Sequence, residues 1–172
     1  MTRLAEQCTL ITHEIQELKK QGDTNFWRLG ACLAEVADGK LHVDCGYDTF
    51  AQYLERAVDI ERRQAYKWMA VATNFTEALA QEFGLERCNA YLAYTLATPE
   101  DDRPADIGRA TISCVGTDGR TLARPVRECS VAQIDAAARN VRANGVPAWP
   151  RDVKALVDRL QAAMPPSVRV GV

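Results

Sequence analysis

Enzyme chemistry leaves marks in a sequence, and this one carries few of them. It has no glycine-rich phosphate loop, no G-x-S-x-G and no H-E-x-x-H, so phosphoryl transfer, serine hydrolysis and zinc-peptidase chemistry find no starting point. Histidine is scarce, with only His13 and His42. The six cysteines (Cys8, Cys32, Cys45, Cys88, Cys114 and Cys129) form no C-x-x-C pair, and the histidines add no ligand spacing to them, which argues against a zinc site. Cys45 follows His42 by three residues, but no third group orients the two as nucleophile and base. Glu100, Asp101 and Asp102 lie next to prolines and read as a solvated acidic loop rather than a cation site. No catalytic residue, metal or cofactor is expected. Long apolar runs are also missing: charges interrupt them every few residues, which excludes a transmembrane helix. Scattered cysteines without a signal peptide point to a soluble protein of a reducing cytoplasm, with every thiol free. There is no internal repeat and no low-complexity tract.

What the chain does have is enough apolar material for a core, 47% of 172 residues, and an uneven charge. Residues 1–102 carry 10 Lys+Arg against 17 Asp+Glu, while residues 103–172 carry 11 against 6, so the net charge changes sign along the chain. A basic second half suits nucleic acid, or neutralises an acidic half of the same or a neighbouring subunit.

Helices dominate the first hundred residues. Leu4, Cys8, Ile11, Ile15 and Leu18 form an apolar seam ending at Gly22, too short to prove a coiled coil and read as a helix lying on its own core. Asp23 or Thr24 can cap a second helix with Phe26, Leu29, Gly30, Leu33 and Val36 inward, and Trp27 joins that core. Lys40–Cys45 reads as a short, briefly extended connector. After Asn74, Thr76 caps a short helix to Phe83 that Gly84 stops, and Cys88–Leu96 forms an apolar helix with Tyr91 and Tyr94 in the core. Then the pattern changes. Residues 110–115 and 120–126 are β-prone runs around Thr117-Asp118-Gly119, a hairpin signal. Ser130 and Gln133 form a capping box for a helix with Val131, Ile134, Ala138 and Val141 inward. Trp149-Pro150 opens a last helix that Pro165-Pro166 closes.

The most specific stretch is Gly46 to Phe75. Thr49 and Gln52 make a capping box, Phe50, Tyr53, Leu54 and Ala57 fall on one stripe, and the stripe ends at Val58-Asp59-Ile60, where Asp59 tolerates a left-handed backbone. A second helix restarts at once, over Glu61–Asn74, with Ala65, Met69 and Ala72 inward and Arg63, Lys67 and Asn74 on another face beside Arg62 and Gln64. Such donors suit the major groove, because Arg and Lys pair with phosphates and guanine edges while Gln or Asn pair with adenine. Residues 40–75 as a whole are balanced, with five positive and five negative side chains, so only this helix face is basic.

Trp27, Gly46-Tyr47, Thr49-Phe50, Tyr53 and Ala65-Tyr66 together resemble the pattern of a family of bacterial and prophage helix-turn-helix proteins, over about residues 24–75. The resemblance implies a DNA-binding module. The chain departs from the family at Asp59, where the turn commonly has Gly, at Glu55, where a small residue is common, and at Glu61, where Ser or Thr often starts the recognition helix.

These readings give a mainly α fold: a helical domain at residues 1–98 with a helix-turn-helix at about 48–75, a linker at 99–109, and a β-hairpin with two helices at 110–166. The expected function is double-stranded DNA binding as a bacterial or prophage-type transcriptional regulator, through Arg62, Arg63, Gln64, Tyr66, Lys67 and Asn74. A homodimer is expected, with Ile112, Cys114, Leu122 and Val126 at its interface, and the C-terminal unit can also hold a protein partner. The competing reading is an interaction or oligomerisation module that binds no DNA.

Overall fold

A computed structural model of the chain describes residues 3–98, 103–115 and 120–144. It is mainly helical with one two-stranded antiparallel hairpin. Helix α1 spans Arg3–Lys20, and a single 3-10 turn at Asp23–Asn25 leads into α2, Phe26–Asp38. A short α3 covers Leu41–Asp44, and α4, Phe50–Tyr53, runs on as a π-helical turn, Leu54–Val58. Next come α5, Arg62–Asn74, α6, Glu77–Phe83, and α7, Leu85–Thr95. Strands β1, Thr111–Val115, and β2, Thr121–Pro125, precede α8, Val131–Asn144. No described helix is long and apolar enough to cross a membrane.

Local chemistry explains most of these boundaries. Thr49 Oγ1 accepts the Gln52 N–H, and Gln52 Oε1 accepts the N–H of Asp48, one residue further back than a standard capping box. Before α8 the box closes reciprocally, with Ser130 Oγ accepting from Gln133 N–H and Gln133 Oε1 from Ser130 N–H. Thr76 caps α6, and Gly84 ends it at φ 77°. Two expectations need correcting. The connector at 40–45 contains a helical turn, Leu41–Asp44, entered through a left-handed Lys40, rather than an extended stretch, because Leu41 is drawn into the core and Cys45 N–H bonds back to Leu41 O. The second helix begins at Phe26, after the 3-10 turn, and its N-cap Asn25 makes no side-chain capping bond.

The α1 seam faces inward: Cys8, Ile11, Ile15 and Leu18 are buried, whereas Leu4 at its start is exposed. α1 lies on α2 and α3, and α2 packs most extensively on α5. Gly30 makes that approach possible. A Cβ there would stand 2.5 Å from the carbonyl carbon of Trp68, closer still to its oxygen, and 3.0 Å from Ala72 Cβ. Tyr91 and Tyr94 are both buried, with their rings stacked at 6.2 Å.

The expected linker is described only from Arg103 onwards, and that part is packed. Ile107 is fully buried, and the Tyr91 hydroxyl donates to Arg103 O. α8 lies on α7 and covers β1, and buried side chains from Cys8 to Val141 form one continuous cluster. The hairpin pairs Ile112 with Arg124 and Cys114 with Leu122. Ile112 and Cys114 are buried under α8, while their partners on β2 are exposed, so the covered face of the sheet stops at β1. The turn at Thr117–Gly119 and the helix expected after Trp149 lie outside the described residues.

The cysteines depart from the expectation of six free thiols. Cys8 on α1 and Cys45 after α3 form a disulfide across 37 residues, with 6.1 Å between their Cα atoms. Sequence spacing gave no sign of it, because the pair meets only through the packing of α1 on α3. It also consumes the thiol that stands near His42.

Two outcomes follow from this packing. Gly30→Ala gains about 1 kcal/mol of helix propensity but forces a methyl into the Trp68 backbone, an overlap that costs about 2–3 kcal/mol or more. Urea unfolding should therefore show a net loss of stability, and a stabilised variant would disprove the close approach. Reducing the protein with dithiothreitol, or Cys45→Ser, should lower stability by about 2–4 kcal/mol, as expected for opening a loop of this length; an unchanged melting temperature would mean that the bond contributes nothing.

Candidate nucleic-acid interface

The segment from Phe50 to Asn74 consists of a helix, a three-residue turn and a second helix. Tyr53, Leu54, Val58 and Ile60 are buried along the first part, with Phe50 and Ala57 half-buried. The π turn widens the helix by one residue per turn, which brings Val58 inward beside the Phe50–Ala57 stripe. Glu55 is exposed on the outside of this turn, so its charge does not stand between the helices. Asp59 takes the left-handed conformation, φ 50° and ψ 59°, as its position in the sequence suggests.

Side chains from α1 hold this turn in place. A helix end leaves its last carbonyls without partners, and here Gln16 Nε2 donates to Ala57 O at 2.9 Å while Lys19 Nζ donates to Val58 O at 3.1 Å and to Asp59 O. Lys19 also pairs with the Asp59 carboxylate at 2.9 Å. Asp59 therefore gives the α1 ammonium an anion beside the carbonyls it caps. Further up α1, Thr12 Oγ1 and Tyr53 OH share a hydrogen bond of 2.9 Å, and burial holds the Tyr53 hydroxyl above its ordinary pKa.

α5 starts at a Glu61 cap, whose carboxylate accepts the Arg63 N–H at 3.3 Å. Its inner face is Ala65, Trp68 and Val71, and the expected inward residues Met69 and Ala72 are half-buried at the edges of that face. Trp27 anchors the far end, its indole N–H donating to Phe75 O at 2.8 Å.

The six candidate contact residues fare differently. Arg62 and Arg63 are exposed in the first turn. The Arg62 guanidinium lies 5.6 Å from the centre of the Tyr66 ring, a cation–π contact. Tyr66 is 47% exposed, and its ring meets Phe50 edge-on. Gln64 is half-buried. Lys67 is tied to α7, with its ammonium 3.0 Å from both carboxylate oxygens of Glu86. Asn74 donates to Ala70 O and stands about 18 Å along the helix from Arg62, at 1.5 Å per residue. The structure thus groups Arg62, Arg63 and Tyr66 and leaves Asn74 apart. Nineteen residues separate Lys67 from Glu86, too far for any local spacing rule to expose the pair.

Of the four expected dimer residues, Ile112, Cys114 and Val126 are buried within the chain itself, the first two on the strand that α8 packs against. Leu122 alone of the four is open, at 44% exposure. Comparison with protein-family models, with curated proteins and with solved structures finds no match to this chain.

Proposed function

We propose that the pair formed by α4 with its π turn and α5 is a helix-turn-helix, that α5 reads double-stranded DNA, and that the protein is a transcriptional regulator of bacterial or prophage type. One observation carries this reading. The first turn of α5 presents Arg62 and Arg63 to solvent, next to the half-exposed Tyr66, while the opposite face is clamped to α2. Guanidinium groups at the start of a rigidly held helix suit guanine edges and phosphates. Lys67 is a conditional contact on this reading. Its pair with Glu86 is partly exposed, and such a pair stabilises by at most about 1 kcal/mol, less than a good phosphate or base contact. Binding exchanges Glu86 for phosphate, and the freed carboxylate then opposes the DNA.

The protein acts as a homodimer on this proposal, because helix-turn-helix readers engage paired half-sites. The uncovered half of the hairpin supplies the contact, centred on Leu122, which is 44% exposed on the strand that α8 leaves open. That same exposed leucine favours the competing reading, an interaction module without DNA.

A gel shift with generic duplex at low and moderate salt separates the two readings, since phosphate contacts make binding salt-dependent. Arg62→Ala combined with Arg63→Ala should weaken duplex binding by about 2–4 kcal/mol, with an unchanged far-UV circular dichroism spectrum. Glu86→Gln should tighten binding at low salt by freeing Lys67. Wild-type affinity in the double variant would sink the assignment. In light scattering the full chain should give twice the chain mass and Leu122→Asp the monomer mass; a monomeric wild type would remove the dimer.

A further inference from the structure

Four cysteines remain outside the Cys8–Cys45 bond, and two of them are neighbours. Cys114 in β1 and Cys129, just before the α8 cap, have their Sγ atoms 3.6 Å apart although 15 residues separate them in the chain. Both are buried. The other two free thiols differ. Cys88 is enclosed in the core, and burial pushes its thiol up to about 12. Cys32 on α2 is half-buried beside Glu14 and Glu35, and burial with those carboxylates pushes it up to about 11.

A groove of about 190 Å³ runs between β1 and α8. Cys114 borders it, together with Val115, the small side chains of Ala132, Ala136 and Ala137, and the polar Gln133 and Asn140. A water molecule occupies about 30 Å³ in the liquid, so the groove admits an oxidant of a few heavy atoms. Cys129 does not line the groove. Its Sγ donates to Pro125 O at 3.4 Å, and burial pushes its thiol up to about 11, so it is a poor first nucleophile.

We propose that Cys114 and Cys129 form a peroxide-responsive dithiol site, in which Cys114 meets a small hydroperoxide through the groove and Cys129 resolves the product. In the first step the Cys114 sulfur, having lost its proton, attacks one oxygen of hydrogen peroxide. The O–O bond breaks, Cys114 becomes a sulfenic acid, and the leaving hydroxide takes up a proton as water. In the second step the Cys129 sulfur attacks the Cys114 sulfur, the S–O bond breaks, an S–S bond forms, and the Cys129 proton leaves with the hydroxide as a second water. Two thiols are oxidised by two electrons, and one peroxide is reduced to two waters. A move of under 2 Å by the sulfurs closes the bond, since an S–S bond is about 2.05 Å. The product ties β1 to the start of α8. The proposal is independent of DNA binding, so either can fail without the other.

The test uses the full-length protein with its Cys8–Cys45 bond in place. The protein is treated with hydrogen peroxide, the remaining thiols are blocked with N-ethylmaleimide, and the digest is mapped by mass spectrometry. The wild type should yield a Cys114–Cys129 linked peptide, lighter than the dithiol form by two hydrogens, with Cys114 consumed about tenfold or more faster than Cys88. Cys129→Ser should stop at a Cys114 sulfenic acid that dimedone traps, and Cys114→Ser should leave Cys129 alkylatable after peroxide. Wild-type protein in which both thiols remain alkylatable, or a dimedone adduct on Cys129, would overturn the site.

Discussion

The contact that the rest of the structure depends on is the crossing of α2 and α5 at Gly30. A helix can present a defined outer face only if its inner face is fixed, and α5 is short enough that its own backbone bonds would not hold it in water. Its inner residues, Ala65, Trp68 and Val71, are seated on α2, where Leu29, Leu33 and Val36 are buried. The absence of a side chain at Gly30 lets the Trp68 backbone come down onto that surface. Glycine in a helix interior destabilises by about 1 kcal/mol relative to alanine. That local loss is offset by the burial of a tryptophan and a wide apolar interface, at about 25 cal/mol per Å² of apolar surface removed from water. Where Arg62, Arg63 and Tyr66 point is thus decided on the far side of the helix from them.

A second constraint reaches the same helix through the turn before it. Gln16 and Lys19 on α1 satisfy the carbonyls at the end of the π turn, and the Cys8–Cys45 bond ties α1 to the segment that leads into α4. The turn is therefore held from both ends of one helix, by a covalent link near its start and by donors near its finish. This explains how a turn with Asp59 at positive φ keeps its shape without glycine. The lysine ammonium neutralises the aspartate and caps its carbonyl at once.

Much of this was legible in the sequence, wherever the signal was local. The left-handed Asp59, the Thr49, Thr76 and Ser130 caps, the α2 stripe and the two strand runs each depend on residues a few positions apart, and each appears in the structure. Pairings between distant elements were not legible. The Lys67–Glu86 pair, the Lys19 cap over Asp59 and the Cys8–Cys45 bond join residues 19, 40 and 37 positions apart, and nothing short of the folded arrangement brings them together. The π turn escaped for another reason: it adds a residue to the helical repeat, and an apolar stripe counted at 3.6 residues per turn absorbs that slip without a visible break. For the candidate site, the residue types and the helix were readable, but which of its cations are free depended on α7.

Electrostatics set the terms on which this helix can meet a polyanion. At physiological salt, fields from exposed charges fade over about 8 Å, so the acidic balance of residues 1–102 matters less than what stands beside Arg62 and Arg63. Glu61 stands there, and its carboxylate occupies the amino end of α5, where the helix dipole would otherwise attract a phosphate. Glu86 occupies Lys67. Two guanidinium groups are thus left without a carboxylate partner among the ion pairs of the described residues on α5, one of them stacked on Tyr66. On the proposed reading, so few phosphate contacts make sequence-independent binding weak, because each contributes only about one unit to the salt dependence. Useful affinity then has to come from base edges in the major groove and from two copies acting on paired half-sites, and the carboxylates at Glu61 and Glu86 become part of the selectivity by opposing any duplex that offers phosphate contacts alone.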